Sequence, residues 1–177
     1  MIPTLRTSRL VLSPFTLDDA LEVQRLAGDA KIAATTVNIP HPYPDGAAER
    51  WIARHQTEFF EGRSVVFAIR EPRSGAVMGA IGLVIDDENR CAELGYWIGV
   101  PFWGRGICTE AARRVLEYAF TELGLHRVHA HYLSFNVASG RVMQKIGMKR
   151  EGVLRQHHLK DDVFHDAVIY SILKDEF

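Results

Sequence analysis

Seven short stretches of the chain have the pattern of β-strands: apolar and polar residues alternate along RLVLSPF, and others, such as SVVFAIRE and AVMGAIGLVIDD, are short runs rich in apolar residues. Turns separate several of these stretches, one through Pro72 and Gly75 and another at Asn89 and Arg90. The predicted strands cover residues 9–15, 64–71, 76–87, 91–99, 127–133, 148–160 and 163–173.

Four other stretches carry their apolar residues at helical spacing. Thr16 or Asp18 is the expected N-cap of the first helix, and Gly28 is its expected C-cap. The predicted helices cover residues 16–28, the segment from near Asp45 to Gly62, and residues 109–124 and 139–147. The order of elements predicts a mixed α/β sheet of seven strands with helices on its faces, in one domain over residues 1–177.

Composition and charge limit the class of protein, its partners and its location. Of the 177 residues, 47% are hydrophobic and 24% are charged, which is the balance of an ordinary globular domain. A net charge of −1 gives no overall attraction to nucleic acid or anionic membrane, and no apolar run reaches the roughly 20 residues of a membrane span. Cys91 and Cys108 are too few for a disulfide framework, and the N-terminus lacks a signal-peptide pattern, so the cytoplasm is the expected location.

The stretch "PFWGRGICTEA" places Gly104 and Gly106 between the predicted fourth strand and the third helix. A helix N-terminus offers unpaired N–H groups and the positive end of the helix dipole, and glycines let an anion approach closely. The stretch therefore predicts either a phosphate-binding loop or a plain turn that needs two positive φ angles. It matches neither a Walker A loop nor the three-glycine dinucleotide fingerprint.

Several histidines and one cysteine favour structural roles. His129 and His131 share a face of the predicted fifth strand, but no third metal ligand stands at a convincing spacing, so no metal is expected. His157 and His158 fall on opposite faces of a strand and are expected at the surface or at a dimer edge. Cys108 is near a helix N-terminus, where its pKa can fall, yet without a neighbouring base it is expected to pack.

Two longer runs, "AELGYWIGVPFWGRGICTEAARRVLEYAF" and "LHRVHAHYLSFNVASGRVMQKIGMKREGVLR", resemble the GNAT superfamily of acetyl-CoA-dependent N-acetyltransferases. Within it they are most similar to the RimJ/RimL-like branch, the ribosomal-protein-alanine acetyltransferases. The motifs "ELGYW", "WGRG-x-x-TEA", "N-x-x-S" and "K-x-G-M-K-x-EG" occur in the family's order, and the resemblance covers about Arg6 to Leu173. It implies the α/β GNAT fold, a mixed, mostly antiparallel sheet of seven strands that is splayed between the fourth and fifth strands, with about four helices on its faces.

The resemblance also implies how acetyl-CoA binds as the cosubstrate. Backbone N–H groups of residues 104–109 would hold the diphosphate, although Pro101 stands where the superfamily usually has Gln or Arg. The pantetheine arm would lie between the splayed strands, and its amides would pair with backbone groups around Ile98 to Val100. Asn136 either bonds the arm or only caps the following helix. The implied cofactor-binding set is Ile98, Gly99, Val100, Trp103, Gly104, Arg105, Gly106, Ile107, Cys108, Thr109, Asn136 and Ser139.

For the chemistry, the resemblance assigns Glu93 as the base that removes a proton from the acceptor amine. Met143 stands where many members have the tyrosine that protonates the departing thiolate, so Ser139 is the expected substitute, although it can also cap its helix. The backbone N–H near Ile98 would stabilise the oxyanion. The expected activity is direct transfer of an acetyl group from acetyl-CoA to a primary amine, in a ternary complex.

The identity of the amine is left open. Tyr43, in the loop before the second helix, is the expected substrate contact, and the acceptor is either a protein N-terminus or a small molecule. A homodimer is expected, with neither nucleic acid nor membrane as a partner. The alternative from another class is a non-catalytic acyl-CoA sensor, and a second rival is a nucleotide-binding protein that uses the same glycine loop.

Overall fold

The computed structural model describes all 177 residues, Met1–Phe177, and builds them around one eight-stranded sheet. The strands follow the order β1-β2-β3-β4-β5-β6-β8-β7 across the sheet. The strands are β1 (Leu5–Arg6), β2 (Val11–Ser13), β3 (Ser64–Arg70), β4 (Val77–Asp86), β5 (Cys91–Ile98), β6 (Arg127–Leu133), β7 (Lys149–Lys160) and β8 (Val163–Leu173). The helices are α1 (Ala20–Ala27), α2 (Ala30–Thr35), α3 (Ala47–Phe60), α4 (Ile107–Thr121) and α5 (Val137–Lys145).

The predicted seven strands and four helices are all present, with two additions. The strand β1 has only two residues and pairs with β2, which makes the sheet eight-stranded rather than seven-stranded. The additional short helix α2 begins after Asp29, whose carboxylate accepts the Lys31 N–H at 2.8 Å as an N-cap. Thr16 caps a 3₁₀ turn, Leu17–Asp19, that precedes α1, and Gly28 is the C-cap of α1.

Helices cover both faces of the sheet. On one face, α4 and α5 pack over an apolar cluster that includes Leu94 and Ile98 of β5. On the other face, α1 and α3 pack over a smaller cluster, against which Trp97 of β5 also lies. Successive residues of β5 alternate between these faces, so Glu93, Gly95 and Trp97 point away from α4.

The sheet opens between β5 and β6, as the resemblance implied. These two strands form the parallel pair of the sheet, and their pairing consists of Cys91 with Arg127, Ala92 with Val128, and Glu93 with His129. Beyond Glu93 the remaining residues of β5 pair only with β4. A gap therefore begins at Glu93 and widens toward the N-terminus of α4. None of the helices is both long and apolar enough to cross a membrane.

Candidate active site

The glycine loop joins the end of β5 to the start of α4. Gly104 and Gly106 have φ angles of +75° and +73°, which L side chains rarely adopt, so the turn reading accounts for both glycines. An anion-binding loop is also compatible with these positive φ angles. The backbone N–H groups of residues 104–109 make no hydrogen bond, and a Cβ added at Gly104 would meet no atom within 4 Å. The loop thus offers a row of free donors at the positive end of a 15-residue helix.

Cationic side chains surround this helix end. A cleft of about 630 Å³ beside Gly106 and Thr109 is lined by Arg6, Arg9, Arg113, Arg114 and Lys145. Glu110 anchors the loop from the other side, because its carboxylate binds the Arg9 guanidinium at 2.6 Å and the Thr7 hydroxyl at 2.5 Å. The Arg105 guanidinium lies 5.6 Å from the centre of the Phe102 ring, in a cation–π contact. The positive charge predicted at Arg105 is therefore present at the loop, and the arginine and lysine side chains of the cleft add to it.

The end of β5 turns backbone polar groups toward the gap. The Gly99 N–H donates to the Met78 carbonyl at 2.9 Å, so Gly99 bonds β4, and the N–H and C=O of Ile98 point the opposite way. The Ile98 carbonyl accepts a hydrogen bond from the Trp103 indole N–H at 2.6 Å. Val100 begins a 3₁₀ turn, Val100–Phe102, that leads into the glycine loop. Ile98 and Trp103 are thus brought together at the mouth of the gap.

Glu93 lies at the point where β5 and β6 separate. Its Oε1 is 3.1 Å from Nδ1 of His131, and its Oε2 is 3.9 Å from Nε2 of His129. The hydrogen bond from His131 lowers the pKa of the Glu93 carboxyl, against the opposing effect of burial. A Cβ added at the neighbouring Gly95 would meet open space, which leaves room beside Glu93 on the same face. The carboxylate is therefore ionised, partly exposed and held by a histidine.

His158 joins this group from β7, the edge strand of the sheet, where its side chain is half-buried. Its Nε2 is 2.9 Å from Nε2 of His131, and the two rings stack with centroids 4.8 Å apart. The register between β7 and β8 shifts between Leu154 and His158, and Gln156 has a φ of +51°. This bulge interrupts the regular pairing of β7 just before His157 and His158. His157 keeps an exposed position and packs edge-on against His158.

Ser139 lies on the opposite face of the sheet from Glu93. Its Oγ is 2.8 Å from the phenol oxygen of Tyr96, and that phenol also donates to the Ser139 carbonyl at 3.2 Å. Tyr96 shares a face of β5 with Leu94 and Ile98, and burial raises the pKa of its phenol. The phenol therefore stays protonated and fixes the Ser139 hydroxyl beside the gap.

Asn136 caps α5, which is the alternative role considered for it. Its Oδ1 accepts the Ser139 N–H at 3.3 Å, and its Nδ2 donates to the Thr35 carbonyl at the end of α2 at 3.1 Å. Both polar ends of the amide are thus used within the protein. Asn136 orients Ser139 through the helix that it caps.

Tyr43 packs on the α1/α3 side of the sheet, against the apolar cluster there. Its Cβ lies 3.3 Å from the position that a Cβ at Gly28 would occupy, so the two residues are in close contact. Burial raises the pKa of its phenol. Tyr43 therefore lies on the same side of the sheet as Glu93, but no hydrogen bond joins the two residues.

Cys108 packs as expected. Its side chain lies against the apolar cluster under α4, and burial raises the pKa of its thiol, which reverses the lowering that a helix N-terminus alone would produce. Ile107 is also buried in that cluster, so both residues can offer only backbone N–H groups to a ligand at the loop. The structure contains no group of three or more His, Cys, Asp or Glu side chains arranged to hold a metal ion.

Sequence reasoning missed Tyr96 and the histidine partners of Glu93. The pattern of β5 placed Tyr96 among buried residues, and nothing local indicates that its hydroxyl meets α5. The contact of His131 with Glu93 was predictable once β6 was known to pair in parallel with β5, because this pairing places the histidines of β6 beside Glu93 on the same face. The sequence pattern alone does not supply that strand order.

Comparisons with known proteins agree with this geometry. Residues 9–149 match the model of the acetyltransferase (GNAT) domain family. An uncharacterized N-acetyltransferase p20 of Bacillus licheniformis is 31% identical over 176 residues, which cover 98% of each chain. A [ribosomal protein uS5]-alanine N-acetyltransferase of Escherichia coli is 28% identical over 137 residues, 75% of this chain and 69% of that protein.

The fold also matches solved structures. Mycobacterium smegmatis RimJ, in complex with CoA-disulfide, superposes with a TM-score of 0.86 at 24% identity, over 99% of this chain and 88% of that one. At this identity the likeness concerns the fold alone. With the family model matched over most of the sequence, the sheet open at Glu93 and the glycine loop at the start of α4, the chain belongs to the GNAT acetyltransferase family and resembles its RimJ/RimL-like members.

Proposed function

We propose that this protein transfers the acetyl group of acetyl-CoA to a primary amine within a ternary complex. The observation that carries the proposal is the gap between β5 and β6, which leads from the free N–H groups at the start of α4 to Glu93. An extended ligand can enter such a gap as an additional strand, because the Ile98 backbone there faces away from β4. The gap thus connects an anion site with an ionised carboxylate.

Acetyl-CoA is the proposed cosubstrate, and the residues present fit it. The N–H groups of residues 104–109 and the cations Arg9 and Arg113 would bind its phosphates, and the Ile98 backbone would pair with its pantetheine amides. The Trp103 indole N–H donates to the Ile98 carbonyl, so a pantetheine amide that bonds the same oxygen would lie beside the indole. When bound, the cosubstrate supplies an activated acetyl thioester at the gap.

Deprotonation of the amine and release of the thiolate would take place on opposite faces of the sheet. Glu93 and its histidines lie on the α1/α3 side, where the amine would lose its proton, and Ser139 lies on the α4/α5 side. The single phenol proton of Tyr96 goes either to the Ser139 carbonyl or to Ser139 Oγ. When it goes to Oγ, the hydroxyl proton of Ser139 is free to bond a departing sulfur. The N–H near Ile98 would support the oxyanion. Attack from one face would thus expel the thiolate toward the other.

The acceptor is proposed as a protein N-terminus or a small-molecule amine, with Tyr43 among its contacts. The Escherichia coli relative named above is an alanine N-acetyltransferase of a ribosomal protein, which favours N-terminal peptides as the first substrates to assay. We further propose a cytoplasmic homodimer of single-domain chains. Exposed apolar side chains along the edge strand β7, Val153, Leu154 and Leu159, are consistent with such an assembly.

Thiol release from acetyl-CoA in the presence of N-terminal peptides, polyamines and amino acids tests the proposal. We expect turnover with at least one amine and acetylated product of the corresponding mass. Tight binding of acetyl-CoA without acetylation of any amine would instead identify the protein as an acyl-CoA sensor. Light scattering tests the dimer, which predicts twice the mass of the 20.0 kDa chain.

A further inference from the structure

Glu93, His131 and His158 form a continuous line of titratable groups on the α1/α3 side of the sheet, beside the gap. The Glu93 carboxylate is 3.1 Å from Nδ1 of His131, and Nε2 of His131 is 2.9 Å from Nε2 of His158. Nδ1 of His158 has no hydrogen-bond partner in the protein, and the ring is only half-buried. One end of the line is thus a fixed negative charge, and the other end is a free nitrogen.

When both histidines are neutral, hydrogen-bond chemistry assigns the protons in this line. An ionised carboxylate only accepts, so Nδ1 of His131 must carry the proton that it shares with Glu93. A neutral His131 then has a lone pair at Nε2, and the 2.9 Å contact requires Nε2 of His158 to donate. A neutral His158 that donates from Nε2 presents a lone pair at Nδ1. The arrangement is therefore directional, with a proton acceptor at its outer end.

We propose that Glu93, His131 and His158 act as a proton relay in which Nδ1 of His158 takes the proton from the acceptor amine. This inference rests on the proposed function and changes the role of Glu93 from base to positioning residue. Glu93 orients His131 and stabilises the positive charge that arrives there, in the way that a third group orients many histidine bases. The pKa of the Glu93 carboxyl is lowered, which makes its carboxylate a weak base at neutral pH. Histidine side chains ordinarily titrate closer to neutral pH and are therefore better suited to accept a proton from an amine.

The step balances as follows. One proton of the protonated amine passes to Nδ1 of His158, and the Nε2 proton of His158 passes to Nε2 of His131, which becomes an imidazolium paired with Glu93. The amine lone pair then forms the N–C bond to the acetyl carbon, and the C–S bond breaks with its electron pair on sulfur. The second amine proton ends on the thiolate as the coenzyme A thiol, and the relay returns its proton to water.

The groups around His158 are compatible with a neutral ring. Burial and the neighbouring His131 and His157 lower its pKa, while Glu93 opposes them. His129 lies beside Glu93 on β6, and burial lowers its pKa too. His165 is the cross-strand partner of His158 on β8. Near neutral pH the His158 ring is therefore neutral and can accept a proton.

The test compares His158→Ala with His157→Ala, a matched control in the adjacent position that contacts His158 but not His131. We expect kcat of the His158→Ala enzyme to fall roughly 100- to 10,000-fold with unchanged acetyl-CoA affinity, and added imidazole to restore part of it. The acid limb of the pH–rate profile should disappear as well. The His157→Ala enzyme should keep near wild-type kcat. Wild-type kcat in His158→Ala, or a loss that imidazole does not relieve, overturns the relay.

A second measurement separates this inference from the proposed function. Nitrogen-15 NMR of the folded wild-type protein reports which ring nitrogen of each histidine carries the proton, whether or not the protein acetylates an amine. The relay predicts a proton at Nδ1 of His131 and at Nε2 of His158. The opposite tautomers would refute the relay even in an active acetyltransferase, and inactivity with these tautomers would refute only the proposed function.

Discussion

The phenol oxygen of Tyr96 lies 2.8 Å from the hydroxyl of Ser139 and connects β5 to α5 across the α4 side of the sheet. Removal of either hydroxyl deletes one hydrogen bond near the site proposed for the departing sulfur. We expect Ser139→Ala and Tyr96→Phe each to lower kcat roughly fivefold, which corresponds to about 1 kcal/mol for one hydrogen bond. A thiolate leaves readily without strong help, since a thiol pKa is only near 8.5.

The double variant Tyr96→Phe/Ser139→Ala provides the control. Because the two hydroxyls share one hydrogen bond, the combined loss should be smaller than the product of the single losses. Fully multiplicative losses, measured in the same steady-state assay, would show that the two groups act separately.

Most of the fold could be predicted from alternation and helical spacing. The strands β6 and β8 have the predicted bounds, Arg127–Leu133 and Val163–Leu173, because β6 alternates and β8 is a short run rich in apolar and β-branched residues. The helix α2 was missed although Asp29 offered an N-cap signal, because six residues give too little periodicity. The strand β1 was missed because two residues cannot show alternation at all.

The candidate site was less predictable, because its contacts are set by strand order and by one irregularity. Glu93 and Ser139 were proposed through the family resemblance, but the partners of Glu93 come from β6, and His158 of β7 joins them through His131. His158 reaches His131 because the Asp166 carboxylate accepts the Gln156 N–H at 2.7 Å, within the bulge of β7. A local pattern cannot reveal a bulge that a residue on another strand stabilises.

Substitution of a loop glycine tests the anion site. We expect Gly104→Glu to abolish coenzyme A binding, measured by calorimetry, because it adds bulk and like charge among the free N–H groups. Gly75→Glu is the matched control, since Gly75 has a φ of +74° and open space around it, but lies in the turn between β3 and β4. The two variants carry the same backbone strain, so only Gly104→Glu should lose binding. Normal affinity in a folded Gly104→Glu protein would refute the loop assignment.

Trp103 offers an optical probe of the gap. Its indole N–H donates to the Ile98 carbonyl, which faces the space proposed for pantetheine. Coenzyme A binding should therefore change the environment and the fluorescence of Trp103. The Trp103→Phe protein retains Trp51 and Trp97 and should lose most of this change. An unchanged signal in Trp103→Phe would place the response at one of the other two tryptophans.

His55 links stability to pH. It is buried between Phe15 and Trp51 with both ring nitrogens unpartnered, and burial lowers its pKa to about 4. Between its unfolded pKa near 6.5 and about 4, the unfolded chain binds a proton that the folded protein refuses, so stability falls as the pH falls. The slope from this residue is about 1.4 kcal/mol per pH unit. Between pH 7 and pH 5, His55→Leu should lose about 2 kcal/mol less than wild type in urea denaturation. Equal losses in both proteins would show that His55 does not couple folding to pH.

The most direct test of acetyl transfer at the gap is the turnover of Glu93→Gln across pH, with a peptide or small amine that the wild-type protein acetylates. Glu93→Gln keeps the shape of the side chain but removes the negative charge beside His131. We predict that turnover falls roughly 100- to 10,000-fold near neutral pH while acetyl-CoA affinity barely changes. The loss should shrink at high pH, where more of the amine is already neutral. Wild-type turnover by Glu93→Gln at every pH would contradict the assignment of the acetyl-transfer site to this gap.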